Sequence, residues 1–132
     1  MLNSELLTFK EEIMNSLNYF KEKEFTCEGE IVFDKMNELL LQKLDNARGF
    51  AGIPFKITSS FRSADHNKKV GGKPNSAHTK GLAVDIACND SRSRMIIIES
   101  LLVAGFDRIG IANDFIHADC DSSLPQNVIW TY

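Results

Sequence analysis

Ser76-Ala77-His78-Thr79-Lys80-Gly81-Leu82-Ala83-Val84-Asp85 is the most informative segment of the sequence. Its second half alternates like a β-strand, which places Asp85 on a face shared with the small residues Ala83 and Ala87. That face has room for an ion, and Gly81 allows a tight turn that brings His78 back toward Asp85. Imidazole and carboxylate groups are zinc ligands, and a catalytic zinc commonly has three protein ligands. The segment therefore predicts a zinc site whose third ligand comes from elsewhere.

The third ligand has few candidates, because the chain contains three histidines, His66, His78 and His117. His117 lies in the middle of a predicted strand late in the chain, where a ligand carried by a sheet is expected. His66 lies in a polar loop, and we expect it to support that loop structurally.

The periodicity of apolar residues predicts an α+β domain. Three-and-four spacing predicts a first helix, a second helix ending at Gly49 and a third helix ending at Gly105. The residues predicted to face inward are Leu6, Phe9, Ile13, Leu17 and Phe20 in the first helix. They are Phe33, Met36, Leu40, Leu44 and Ala47 in the second helix, and Met95, Ile98 and Leu102 in the third helix. A short helix is predicted near residues 64–70. Alternation predicts strands at residues 55–58, 82–87, 106–111 and 115–120, the last two joined by a hairpin-like turn at residues 112–114.

Composition excludes several classes of protein. The hydrophobic content of 43% and charged content of 25% are ordinary for one compact domain, which we take to span residues 1–132. The formal net charge of −3 argues against a nucleic-acid binder. Three cysteines are too few for a disulfide framework. No apolar run reaches membrane-spanning length and the N-terminus does not resemble a signal peptide, so we expect cytoplasmic synthesis and no membrane insertion.

Several motifs appear one after another along the chain. Phe61-Arg62-Ser63-Ala64-Asp65-His66-Asn67 is succeeded by Val70-Gly71-Gly72, by the segment from Ser76 to Asp85, and by Phe115-Ile116-His117-Ala118-Asp119. This order resembles the zinc D-alanyl-D-alanine carboxypeptidase family of murein peptidases, whose fold is shared with the Hedgehog signalling domain. The family pattern Ser-x-His-x-x-Gly-x-Ala-x-Asp, with a distant His, is fully present, and the resemblance covers about residues 18 to 121.

The resemblance implies a small antiparallel sheet flanked by helices, with a helical segment at 1–50 and a catalytic core at about 51–121. It implies that His78, Asp85 and His117 bind Zn²⁺, and that Arg62 grips or polarises the substrate. Relatives often carry a glutamate three residues before the last zinc histidine; here that position is Asp114, our first candidate for the general base. Asp119 is the alternative, either as the base or as a carboxylate that orients His117.

The function implied by the resemblance is zinc-dependent hydrolysis of peptidoglycan stem peptides, by a D-Ala-D-Ala carboxypeptidase or a murein endopeptidase. The alternative is a zinc-binding interaction module without catalysis. A compact wall hydrolase without a signal peptide is similar to phage or prophage lytic enzymes, which reach the wall through a separate pore; a cytoplasmic dipeptidase is the other context. We expect a monomer whose partner is the stem peptide.

Overall fold

The computed structural model describes residues 11–12 and 16–132. The predicted first helix falls mostly outside these residues, because Leu6, Phe9 and Ile13 are not among them. Of its predicted inward-facing residues, Phe20 is buried and Leu17 packs against the core. No helix in the described part of the chain is long and apolar enough to cross a membrane.

The described residues form helices and strands in the order expected of an α+β domain. The helices are α1 (Glu38–Ala51), α2 (Ala64–Lys69) and α3 (Ser91–Val103), with 3-10 turns at Glu22–Glu24, Phe33–Lys35 and Ala77–Lys80. The strands are β1 (Thr26–Cys27), β2 (Glu30–Ile31), β3 (Ile57–Ser59), β4 (Ala83–Ala87), β5 (Arg108–Ile111), β6 (Phe115–Asp119) and β7 (Val128–Thr131).

The main sheet has five strands in the order β3-β4-β6-β5-β7, and β1 pairs with β2 in a separate hairpin. The prediction of an antiparallel sheet is wrong at one edge of the sheet, because β7 lies parallel to β5. The sequence interpretation missed β7, although its residues Val128, Ile129, Trp130 and Thr131 are β-branched or aromatic and favour strands.

The apolar stripe of the second predicted helix is buried as expected, but the helix itself is shifted. Helix α1 begins after Asn37, whose side chain accepts from the N–H of Leu40 at 3.0 Å. It passes through Gly49, the predicted end, and ends at Gly52, whose φ of 68° is left-handed. A Cβ at Gly49 would clash with the ring of Tyr19, so this glycine makes room for a packed ring rather than ending the helix.

Helix α3 ends at Val103, two residues before the predicted stop at Gly105, and it buries a different face from the predicted one. Met95 is 66% exposed and Leu102 is 48% exposed, whereas Ile97 and Leu101 are buried. The prediction that Met95 and Leu102 point inward was wrong, whereas Ile98 packs against the core as predicted. Apolar residues lie on several sides of this helix, so their spacing does not define a single inward face.

The two faces of the central strands differ in chemistry. Val84 and Ile86 on β4, and Ile116 and Ala118 on β6, point into the hydrophobic core. Their neighbours on the opposite face include Asp85 and His117, which lie directly across from each other in the β4–β6 register. This alternation confirms the predicted strand parity and places polar side chains together above the sheet.

Candidate metal centre

Three buried side chains meet on the polar face of the sheet: His78, Asp85 and His117. Nε2 of His78 lies 3.3 Å from Oδ1 of Asp85, and Nδ1 of His117 lies 3.0 Å from the same oxygen. Ligand atoms about 2.0–2.1 Å from a tetrahedral zinc ion are about 3.3 Å apart, so these separations are close to those of a zinc site. The residues predicted as metal ligands are therefore brought together by the fold.

His78 reaches the centre from a short turn rather than from the sheet. The Ser76 hydroxyl accepts a hydrogen bond from the His78 N–H at 3.2 Å and starts the 3-10 turn. Gly81 ends it with a φ of 71°, and a Cβ at this position would clash with the carbonyl oxygen of Lys35. Glycine is needed at residue 81 for both its backbone angle and its close contact.

Hydrogen bonds define which ring nitrogen of His78 is available to a metal. Nδ1 lies 2.8 Å from the carbonyl oxygen of Ser60. A carbonyl oxygen can only accept, so Nδ1 carries the proton and donates. The lone pair on Nε2 is then free to point at Asp85, which is the arrangement of a metal-binding histidine held by a backbone carbonyl.

In His117 the nitrogen that bonds to a neighbouring protein oxygen is Nε2 rather than Nδ1, and the oxygen belongs to a buried carboxylate. Its Nε2 lies 2.7 Å from Oδ2 of Asp119, which is 1% exposed. The other oxygen of Asp119 accepts from Nε of Arg108 at 2.7 Å and from the Asp121 N–H at 3.1 Å. Since Nε2 donates to Asp119, Nδ1 is the nitrogen of His117 that faces the centre.

The electrostatics of the cluster favour a positive charge between the three residues. Burial raises the pKa of Asp85, but hydrogen bonds from the protonated forms of His117 and His78, whose protons occupy the position a metal ion would take, lower it by more, so Asp85 stays ionised. Burial lowers the pKa of His117, yet its bonds to Asp119 and Asp85 leave that pKa above its ordinary value. Burial raises the pKa of Asp119, and bonds from His117 and Arg108 reverse the shift. A donor set of two imidazoles and an ionised carboxylate fits a zinc ion.

Arg62, which the resemblance assigns to the substrate, borders the centre. Its Nη2 lies 3.4 Å from Oδ2 of Asp85, the oxygen that does not face the histidines. Its Nε donates to Ser59 at 3.0 Å and its Nη1 to Asn67 at 3.3 Å. These bonds use three of the five guanidinium N–H groups and leave two for another partner.

The pattern of ligands and neighbours has a counterpart among known families. A protein-family model for peptidase M15 matches residues 18–119. The chain belongs to the peptidase M15 family. The resemblance to zinc D-alanyl-D-alanine carboxypeptidase-like enzymes is confirmed at the level of the family, a family of metallopeptidases. No curated protein matches the chain significantly.

This M15 peptidase centre has an aromatic neighbour, Trp130, on the strand that the sequence interpretation missed. Gly110 on β5 lies between His117 on β6 and Trp130 on β7 in register. Without a side chain on Gly110, the indole of Trp130 reaches across β5, and its ring centroid lies 5.4 Å from that of His117. A Cβ at Gly110 would lie 2.7 Å from that indole. The missed strand β7 therefore supplies packing for His117, one of the candidate metal ligands.

The two candidate bases of the M15 peptidase occupy different environments. Asp114 lies at the exposed turn before β6, outside the three-residue cluster, and its backbone carbonyl accepts from the Cys88 N–H at 2.9 Å. Asp119 is buried, and both of its oxygens accept hydrogen bonds. The geometry matches the alternative in which Asp119 orients His117.

Proposed function

We propose that the chain is a zinc peptidase that hydrolyses peptide bonds of peptidoglycan stem peptides, with the fold shared by Hedgehog and D-Ala-D-Ala peptidases. The observation that supports this most is the convergence of His78 Nε2, Asp85 Oδ1 and His117 Nδ1, with Arg62 beside them. A zinc ion held by these residues supplies a Lewis acid that polarises the scissile carbonyl and lowers the pKa of an attacking water.

In this proposal Arg62 positions the substrate. Its guanidinium is always charged, is held on three sides by Ser59, Asn67 and Asp85, and keeps two N–H donors. A donor pair fixed in this way suits the terminal carboxylate of a stem peptide or the oxyanion that forms during hydrolysis. The first role belongs to a carboxypeptidase and the second to either a carboxypeptidase or an endopeptidase.

The proton of the attacking water needs an acceptor, and we assign this role to Asp114. Asp119 is less suited because both of its oxygens already accept hydrogen bonds. Asp114 lies at the turn before β6, three residues before His117, and it is exposed, so its carboxylate is accessible from solvent. It then returns the proton to the leaving amine.

The test is a digest of defined substrates by purified, zinc-loaded protein. We expect release of D-alanine from a pentapeptide ending in D-Ala-D-Ala, or cleavage of a cross-linked muropeptide, detected by mass spectrometry. The variant His117→Ala and a chelator should each abolish cleavage. Absence of cleavage of both substrates by zinc-loaded wild-type protein would contradict the proposal.

The second candidate is a zinc-binding module without catalysis. The exposed position of Asp114, outside the ligand cluster, is the observation that favours it. The variant Asp114→Ala separates the two candidates, with Glu99→Ala as a control for loss of an exposed carboxylate elsewhere. A peptidase should lose turnover only in the first variant and keep its zinc in both, whereas a module shows no turnover in any of the proteins.

A further inference from the structure

We propose that Cys27, Glu28 and His66 form a second site for a divalent cation of the zinc type. Among the described residues, this is the one other group of three metal-ligating side chains besides the centre on the sheet. Its ligand atoms, Sγ of Cys27, a carboxylate oxygen of Glu28 and a ring nitrogen of His66, all lie within 4.8 Å of one another. The two sites share no residue, so this inference stands whether or not the chain is a peptidase.

The geometry requires small movements to bind an ion. Nδ1 of His66 lies 3.3 Å from Oε1 of Glu28, which is already the spacing of two zinc ligands. Around a tetrahedral zinc ion, a sulfur and a nitrogen or oxygen ligand lie about 3.5 Å apart, so Cys27 needs to move by about 1.3 Å at most. Cys27 and His66 are half-buried and Glu28 is exposed, which gives an ion access and lets the side chains adjust.

The backbone of the β1–β2 hairpin holds Glu28 in an unusual conformation. Cys27 pairs with Glu30, so Glu28 and Gly29 form a two-residue turn with φ values of 50° and 82°. Such turns favour asparagine or glycine, because a Cβ in the left-handed region crowds the backbone. The turn holds the Glu28 carboxylate beside His66, so a ligand role gives a physical reason for glutamate at this position.

The ligand chemistry selects the kind of cation. A thiolate, an imidazole and a carboxylate together suit zinc and related transition metals rather than calcium or magnesium, which prefer oxygen ligands. Lys69 also approaches Glu28, with Nζ 3.7 Å from Oε2, but its side chain is 69% exposed. An exposed ion pair of this kind contributes little, and it leaves Oε1 for the cation.

A cation at this site would connect the hairpin to α2 across a long stretch of sequence. His66 is followed directly by Asn67, whose side-chain oxygen accepts from Arg62 and whose amide donates to the Lys73 carbonyl at 2.7 Å. A cation at the second site would therefore hold α2, which carries Asn67, in place. Because Asn67 bonds to Arg62, the second site is coupled to the position of the Arg62 guanidinium.

Cobalt(II) distinguishes the two sites, because the centre on the sheet contains no sulfur ligand. We expect the wild-type protein to bind two equivalents of zinc under reducing conditions, and cobalt to produce a thiolate-to-cobalt charge-transfer band. Cys27→Ser should bind one equivalent and lose the band. His117→Ala should bind one equivalent and keep the band. The matched control is Cys120→Ser, a half-buried thiol outside the cluster whose pKa is raised by burial to about 11, which should leave the band unchanged.

A second measurement uses the wild-type chain alone and does not depend on the folding of a variant. Zinc should protect Cys27 from alkylation, as mapped by mass spectrometry, while the rates at Cys88 and Cys120 stay the same. Binding of one equivalent without a thiolate band, a band that persists in Cys27→Ser, or alkylation of Cys27 at equal rates with and without zinc would overturn the proposal.

Discussion

Replacing Asp119 with asparagine tests how the centre is oriented. In the wild-type protein one oxygen of Asp119 accepts from Arg108 and from the Asp121 N–H, and the other accepts from Nε2 of His117. The asparagine oxygen is expected to stay with the first two donors, which leaves its NH₂ group facing Nε2 of His117. Two donors cannot pair, so the imidazole proton moves to Nδ1 and blocks the nitrogen that faces Asp85.

The expected losses of zinc affinity and of folding stability follow from the contacts that the substitution removes. Removal of a carboxylate that orients a metal-binding histidine costs about 10–100-fold in metal affinity, which corresponds to about 1.4–2.7 kcal/mol. The same change removes the charged partner of buried Arg108, and breaking a buried ion pair costs about 3–5 kcal/mol. We expect a loss in the free energy of unfolding at the lower end of this range, about 3 kcal/mol. The reason is that Arg108 keeps its bond to the Pro125 carbonyl and its position over the Trp130 ring.

The assay is a zinc titration against a chromophoric chelator, combined with thermal unfolding followed by circular dichroism. Asp121→Asn is the matched control, because Asp121 is similarly buried and charged but bonds to Lys80 and Ser123 instead of His117. Both variants should lose stability, and Asp119→Asn alone should lose zinc affinity. Equal zinc affinity in Asp119→Asn and the wild type, or an equal loss in both variants, would refute the assigned orientation of His117.

Three further predictions concern single positions. Arg62→Lys should keep zinc but lose most turnover in peptide digests, because an ammonium group cannot reproduce the three-sided guanidinium contacts; unchanged turnover would contradict its role. Gly81→Ala should lower the free energy of unfolding by at least about 2 kcal/mol in denaturant titrations, since a Cβ would meet the Lys35 carbonyl; a neutral effect would count against the need for glycine there. Leu101→Ala should cost about 2–5 kcal/mol in the same measurement and Leu102→Ala far less, and the reverse order would contradict the observed face of α3.

The ligand cluster could be predicted from the sequence because its spacing and its strand parity are local properties. His78, Gly81 and Asp85 lie within one turn and one strand, and alternation alone places Asp85 opposite the buried Val84 and Ile86. His117 was predicted from its place in a later strand and from the family pattern. The register that puts it directly across from Asp85 became visible only in the fold.

Other features depend on tertiary contacts and could not be predicted from local patterns. The inward face of α3 is set by what packs on it, because its apolar residues surround the helix. Gly49 lies inside α1, and its missing side chain makes room for the ring of Tyr19, a contact distant in sequence. Strand β7 pairs with β5 through a parallel register that no local pattern specifies, which explains why the contact between Trp130 and His117 was not anticipated.

The most direct test of the central claim is the anomalous diffraction of crystals loaded with zinc. We predict a zinc peak about 2.0–2.2 Å from Nε2 of His78, an oxygen of Asp85 and Nδ1 of His117. His117 should present Nδ1 to the ion while Nε2 remains bonded to Asp119. Absence of a peak between these three residues, or coordination through Nε2 of His117, would contradict the assigned metal centre.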